Sequence, residues 1–234
     1  MKMRMFLLLT VFLVLFMTNK SSHSYHNLNQ PSGANNYVFF DLSSMPVDFR
    51  VDGGTLGGGN GLTTVQAACD EWDGLDGIGN FCGTLTQGGT DITQANFNAI
   101  VQTGDGINDI VFDEDGSILS DIFSFPPGVL GVGLTETNAA GTINDILIII
   151  NGSIPSSPAA DILATVIHEM GHTWGLAHTP IGAINTAQNP GGLDPIDPVG
   201  IPTMYPFSLP VDDALGRTLE TDDRASAFLL YGGP

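Results

Sequence analysis

The stretch SPAADILATVIHEMGHTWGLAHT, Ser157 to Thr179, decides the fold. Ser157 followed by Pro158 predicts a helix start: a serine hydroxyl can accept from a free backbone N–H, and proline at the first helical position gives up a donor without a partner. Leu163, Ile167, Met170 and Trp174 recur at helical spacing as one apolar stripe, whereas His168 and His172, four residues apart, share another face. Two imidazoles one turn apart can hold a metal ion. Three residues beyond His172, Gly175 can take the positive φ that ends a helix and turns the chain back, so that His178 reaches the same ion from outside the helix.

With Glu169 between the first two histidines the segment reads H-E-x-x-H, a pattern in which the glutamate lies beside a zinc ion without ligating it. HEMGHTWGLAH also fills all five fixed positions of the longer H-E-x-x-H-x-x-G-x-x-H. The bland alternative, a helix with incidental histidines, fits poorly with their distribution: His23 and His26 sit in the leader region, and the other three are all in this motif. On these residues the chain resembles the metzincin metallopeptidases, and within them the matrixins, the family of the matrix metalloproteinases. Pro202 to Pro206, PTMYP, resembles the Met-turn, whose methionine lies beneath the zinc in that family. Thr221 to Gly232, TDDRASAFLLYG, resembles the matrixin C-terminal helix with its paired aspartates and closing Leu-Tyr-Gly.

The resemblance implies an α+β zinc-peptidase domain of metzincin type: a mixed twisted sheet with an antiparallel edge strand, the active-site helix, the Met-turn and a C-terminal helix. It implies catalytic Zn2+ on His168, His172 and His178, with Glu169 as general base for the attacking water. The expected activity is endopeptidase cleavage of an extended polypeptide that pairs with the strand before the helix, Ile143 to Asn151, placed at the sheet edge. Met204 is expected to pack under the metal rather than bind it. Asp222 and Asp223 are expected to hold the Met-turn, with helix capping as the alternative, and Pro206-Phe207 to form a pocket wall. Thr179 stands where matrixins usually have serine, and no cysteine precedes the domain to provide their cysteine-based latency. His23 or His26 reaching the zinc is an alternative inhibitory device. A rival from another class is a non-catalytic extracellular protein that uses the scaffold for binding or metal capture; Glu169 argues against it, since metal retention needs only the histidines.

At 234 residues the chain suits one well-buried domain and is short for two once a leader is removed. Lys2 and Arg4 precede an apolar run from Met5 to Met17, and polar residues follow from Thr18, the layout of a secretory signal. Residues 1–20 are therefore assigned as signal peptide, 21–36 as a linker or short pro-segment, and 37–234 as the catalytic domain. An uncleaved anchor is the alternative, although the run is short for a membrane span. No hemopexin-like or carbohydrate-binding appendage is expected after Pro234. The formal charge is −19, from 25 acidic and 6 basic residues, and such a surface repels phosphates, which disfavours a nucleic-acid partner. A secreted monomer is expected. Cys69 and Cys82, the only cysteines, predict a disulfide, with a free pair or a thiolate on the zinc as alternatives; closing so short a loop would contribute roughly 3 kcal/mol.

Upstream, Val47, Phe49 and Val51 alternate with Asp48, Arg50 and Asp52 as a half-buried strand. Gly53 to Gly61 is a glycine-rich turn without the spacing of a phosphate loop. Thr63 or Thr64 is expected to cap a helix running to about Asp73, with Val65, Ala68, Cys69 and Trp72 on its inner side. Gly74 to Asn108 reads as loops and a weak strand; Asn108 to Phe112 and Gly128 to Thr135 read as strands. Asp105, Asp109, Asp113 and Asp115 invite Ca2+, but they lack the offsets of an EF-hand, and solvated turn acids are the alternative. Asn151-Gly152-Ser153 is formally a glycosylation acceptor. In the last helix Thr221 is the expected cap, with Ala225, Phe228 and Leu229 on the inner face.

Overall fold

One sheet sorts its side chains onto two faces, and each face gathers its own core. The computed structural model describes residues 40–57, 59–138, 141–154, 161–178, 203–204 and 217–232. Its strands are β1 (Val47–Val51), β2 (Cys82–Gln87), β3 (Asn108–Asp113), β4 (Gly131–Thr137) and β5 (Ile143–Asn151), and its helices α1 (Gly61–Asp73), the one-turn α2 (Phe97–Ile100), α3 (Ile162–Thr173) and α4 (Thr221–Tyr231). The order across the sheet is β2-β1-β3-β5-β4. All neighbours are parallel except β4, which runs antiparallel to β5. The chain is therefore α+β with a mixed sheet and an antiparallel edge strand.

The alternation read in β1 holds: Val47, Phe49 and Val51 are buried, and they share a core with Ile110 and Phe112 of β3 and Ile146, Ile148 and Ile150 of β5. Helices cover this face. Val65, Ala68, Cys69 and Trp72 of α1 and Val166, Ile167 and Met170 of α3 pack into it, as do Ala227 and Tyr231 of α4. The opposite face collects Val111, Leu147 and Ile149 with Ile92, Phe97, Ile118 and Leu119. Each fully buried side chain of this size stabilises the fold by about 1.5–3 kcal/mol.

The edge assignment requires correction. Ile143–Asn151 is an internal strand between β3 and β4, and the edge is β4. Its sequence, INDILIIIN, is buried almost without interruption because neighbours and both faces enclose it, which is why it reads as a continuous apolar run. β4, GVGLTET, is half-buried and polar towards its end, as a strand open on one side can be.

Helix starts also differ from the sequence reading. Asn60, not Thr63 or Thr64, caps α1, its side chain accepting from the Thr63 N–H at 3.4 Å. Asp161 caps α3 by accepting from the Ala164 N–H at 2.8 Å, and Arg217 holds its other oxygen at 2.9 Å; Ser157 and Pro158 lie outside the described residues. For α4 the cap is Glu220 in a capping box with Asp223, one residue before Thr221. Phe228 and Leu229 are not its inner face: they are 51% and 68% exposed, and Asp223, Ala227 and Tyr231 point inwards. The i, i+4, i+8 spacing of those three residues is the better guide, but it includes a carboxylate and so is hidden from a hydrophobic reading.

Cys69 and Cys82 form a disulfide, tying α1 to the start of β2. The weak strand expected between Gly74 and Asn108 is β2, which pairs parallel with β1. Neither reading of the four aspartates holds as a group. Asp109 is buried and forms a two-bond ion pair with Arg50 at 2.6 and 2.8 Å. Asp113 is buried and accepts from the Ile118 and Leu119 N–H groups at 3.1 and 2.8 Å. Only Asp105 and Asp115 are turn acids, each accepting from the backbone two residues on. They form no convergent ligand group among the described residues. Asn151 is committed to structure too: its amide donates to the Val129 carbonyl at 2.8 Å.

A disulfide suits an oxidising compartment. Among the described residues no helix is long and apolar enough to cross a membrane. The segments assigned as signal peptide and linker, with His23 and His26, lie outside the described residues, as do the loop from Thr179 to Pro202 and the Pro206-Phe207 wall.

Candidate metal centre

The motif helix ends as the sequence demands. Trp174 is the C-cap, Gly175 takes φ +88°, and its N–H donates to the His172 carbonyl while the Leu176 N–H donates to the Gly171 carbonyl, each at 3.0 Å. This paired arrangement is a Schellman turn, and only a residue tolerant of positive φ closes it without strain. The chain thereby reverses and carries His178 back over the two helical histidines.

The three imidazoles meet. His178 Nε2 lies 3.1 Å from His168 Nε2 and 3.1 Å from His172 Nε2. These are the described residues' one group of three or more possible ligands that could hold a metal ion. The opposite ring nitrogens are committed elsewhere: His168 Nδ1 lies 2.6 Å from the Thr203 carbonyl and His172 Nδ1 2.9 Å from the Leu176 carbonyl. A ring nitrogen facing a carbonyl must carry the proton, so the Nε2 lone pairs of both rings are free for an ion. Tetrahedral zinc with nitrogens at about 2.0–2.1 Å would set them about 3.3–3.4 Å apart, a small expansion of what is seen. The donor set fits a borderline-soft divalent metal.

Electrostatics agree. Burial lowers the pKa of all three rings, repulsion from the neighbouring imidazoles adds to it for His172 and His178, and His178 is brought down to about 4. Although His178 is exposed as a residue, its Nε2 faces the other rings. All three are neutral at pH 7, the form that ligates.

Glu169 is 7% exposed, and burial pushes its pKa up to about 8 against a hydrogen bond from the Gly133 backbone. A cation on the nearby nitrogens would favour its charged form. The close approach of β4 to the helix depends on glycine. A Cβ at Gly131 would lie 2.9 Å from Glu169 Cγ, and one at Gly133 would lie 3.1 Å from His172 Cβ and run into the Glu169 carbonyl. This pair of bare positions on alternate residues of the edge strand is absent from the sequence reading, although G-x-G inside a strand is itself the signal.

Beneath the site Met204 is buried with its thioether against Gly171, where any side chain would collide with it. Met204 thus packs on the helix at Gly171, between His168 and His172. Asp223 accepts from the Thr203 and Met204 N–H groups at 2.8 and 3.2 Å, and so holds the residue whose carbonyl orients His168. Of the paired aspartates only this one is buried. Neither carbonyl that orients an imidazole could be read from sequence, since backbone acceptors have no residue signature.

No protein-family model matches the chain, and no curated protein matches it in sequence. The site therefore rests on its own geometry.

Proposed function

We propose that this chain is a secreted zinc-dependent endopeptidase of the metzincin type, matrixin-like in its Met-turn and last helix. The observation that carries the reading is the convergence of His168, His172 and His178 beside a buried carboxylate, on a helix that lies against the open edge of a sheet.

His168, His172 and His178 would hold the metal through Nε2, with both Nδ1–H groups on the helical histidines donating to carbonyls that fix the rings. Zinc so bound supplies a Lewis acid that polarises water and the scissile carbonyl. Glu169, which a cation on the nearby nitrogens would keep charged, takes the water proton and passes it to the leaving amine. The Gly133 N–H holds that carboxylate in place. The free side of β4 offers backbone N–H and C=O groups to an extended substrate, which selects unfolded or flexible peptide segments. The rival reading, metal capture without catalysis, leaves the placement of Glu169 without a purpose.

The test is incubation of an unfolded protein with the purified chain, with and without a chelator, products being read by mass spectrometry and bound metal by elemental analysis. Cleavage that needs zinc and disappears in Glu169→Ala, while that variant still binds zinc, is the expected result. A chain that takes up no zinc when supplied, or cleavage unchanged in Glu169→Ala, overturns the reading.

A further inference from the structure

Two of the three imidazoles depend on one turn. Leu176 supplies the carbonyl that orients His172, and His178 follows two residues later. What fixes this turn from outside is α4. The Tyr231 hydroxyl donates to the Trp174 carbonyl at 2.6 Å and accepts from the Phe40 N–H at 3.3 Å, and Tyr231 and Trp174 are both buried. Trp174 is the last residue before Gly175, so a hydrogen bond to its carbonyl acts where the chain reverses. Rings close the remaining freedom: Phe81 packs between Trp174 and Tyr231 with centroids at 4.9 and 5.2 Å.

We propose that Tyr231 is a positioning residue for the metal centre, its hydroxyl holding the Trp174–His178 turn in the conformation that presents His178 and keeps the Leu176 carbonyl on His172. The inference rests on the metal reading above. It is distinct from the anchoring of His168, which runs through Thr203 and Asp223 at the other end of α4. A tyrosine at this place without such a role would contribute ring packing, which phenylalanine reproduces. The hydroxyl is needed only if the carbonyl it holds matters.

Tyr231→Phe isolates the hydroxyl. Zinc affinity is measured by chelator competition under conditions where the protein is folded, beside a control of similar stability loss on the far face of the sheet, Phe97→Leu. We expect zinc binding about tenfold weaker in Tyr231→Phe, and an altered visible spectrum of the cobalt-loaded form, with Phe97→Leu unchanged in both. Equal zinc affinity in Tyr231→Phe and the unaltered chain, or the same loss in Phe97→Leu, overturns the proposal. Should Tyr231→Phe not fold, hydrogen exchange on the unaltered, metal-free protein decides: protected Gly175 and Leu176 amides support a turn held before metal arrives, and free exchange until zinc is added overturns it. Failure of the unaltered chain to bind zinc would instead strike the underlying metal reading.

Discussion

The two faces of the sheet are built differently, although they share every strand. The face under α1, α3 and α4 packs Trp72, Phe81, Trp174 and Tyr231, and of the polar groups that it buries among the described residues all but the Trp174 indole nitrogen are committed to a partner or to the site. Glu169 lies beside the imidazoles, Asp223 under the Thr203 turn, and the Trp72 indole donates to the Ile167 carbonyl at 3.0 Å. The other face gathers Ile, Leu, Val and Phe, and the carboxylates buried on the same side of its strands serve the scaffold: Asp109 pairs with Arg50, and Asp113 holds a loop through the Ile118 and Leu119 N–H groups. One face is over-determined because it orients three imidazoles through named carbonyls; the other needs volume, apolarity and a few carboxylates paired at its margin. Changes on the first should therefore alter chemistry or metal binding at modest cost in stability, and changes on the second the reverse.

The largest effect should come from Glu169→Gln, which removes the base but keeps the shape. We expect zinc content unchanged and cleavage of an unfolded protein slower by about 10²–10⁴-fold; comparable rates would erase the distinction between the faces. Next, His172→Ala should weaken zinc binding by more than about a hundredfold, seen as loss of metal on dialysis with the circular-dichroism spectrum retained. Ile149→Ala, on the far face, should cost about 2–5 kcal/mol in denaturant unfolding yet leave zinc affinity of the folded chain unaltered. Altered affinity there would show that the faces are coupled. Gly171→Ala forces Met204 and Trp72 aside and should cost about 1–3 kcal/mol, with weaker zinc binding as the mark of the site face.

The smallest effect concerns pH. Asp145 is opposite Glu136 on β4, and burial together with the charge of Asp105 raises its pKa to about 6 from 3.8. The folded chain therefore keeps a proton between those pH values that the unfolded chain releases. The stability that Asp145 contributes is fully present below about pH 4 and is lost as pH rises through 6. Asp145→Asn should flatten this slope by about 1–2 kcal/mol, the neighbouring carboxylates being open to solvent screening. An unchanged slope would place the titration elsewhere.

Legibility follows the kind of signal each region carries. HEMGHTWGLAH reveals the three convergent histidines, the carboxylate between two of them and the reversal at Gly175, because side-chain chemistry and the φ tolerance of glycine are properties of residues. Two cysteines in an exported-looking chain point to the disulfide, and period two points to β1. The start of α3 is hard to place because Ser157-Pro158 is as good a local signal as Asp161, and only the ion pair with Arg217 and the packing of the helix choose between them. The edge strand is hard to place for a related reason: hydrophobicity reports how enclosed a strand is, not which neighbours enclose it.

The sequence by itself determined that three imidazoles and a carboxylate could meet, since their spacing on a helix and its closing turn is local geometry. Only the tertiary structure decided that β4 rather than β5 lies open beside them, and that the rings are held by the Thr203 and Leu176 carbonyls. Strand neighbours and backbone acceptors are set by contacts between distant residues whose side chains leave no trace of the pairing.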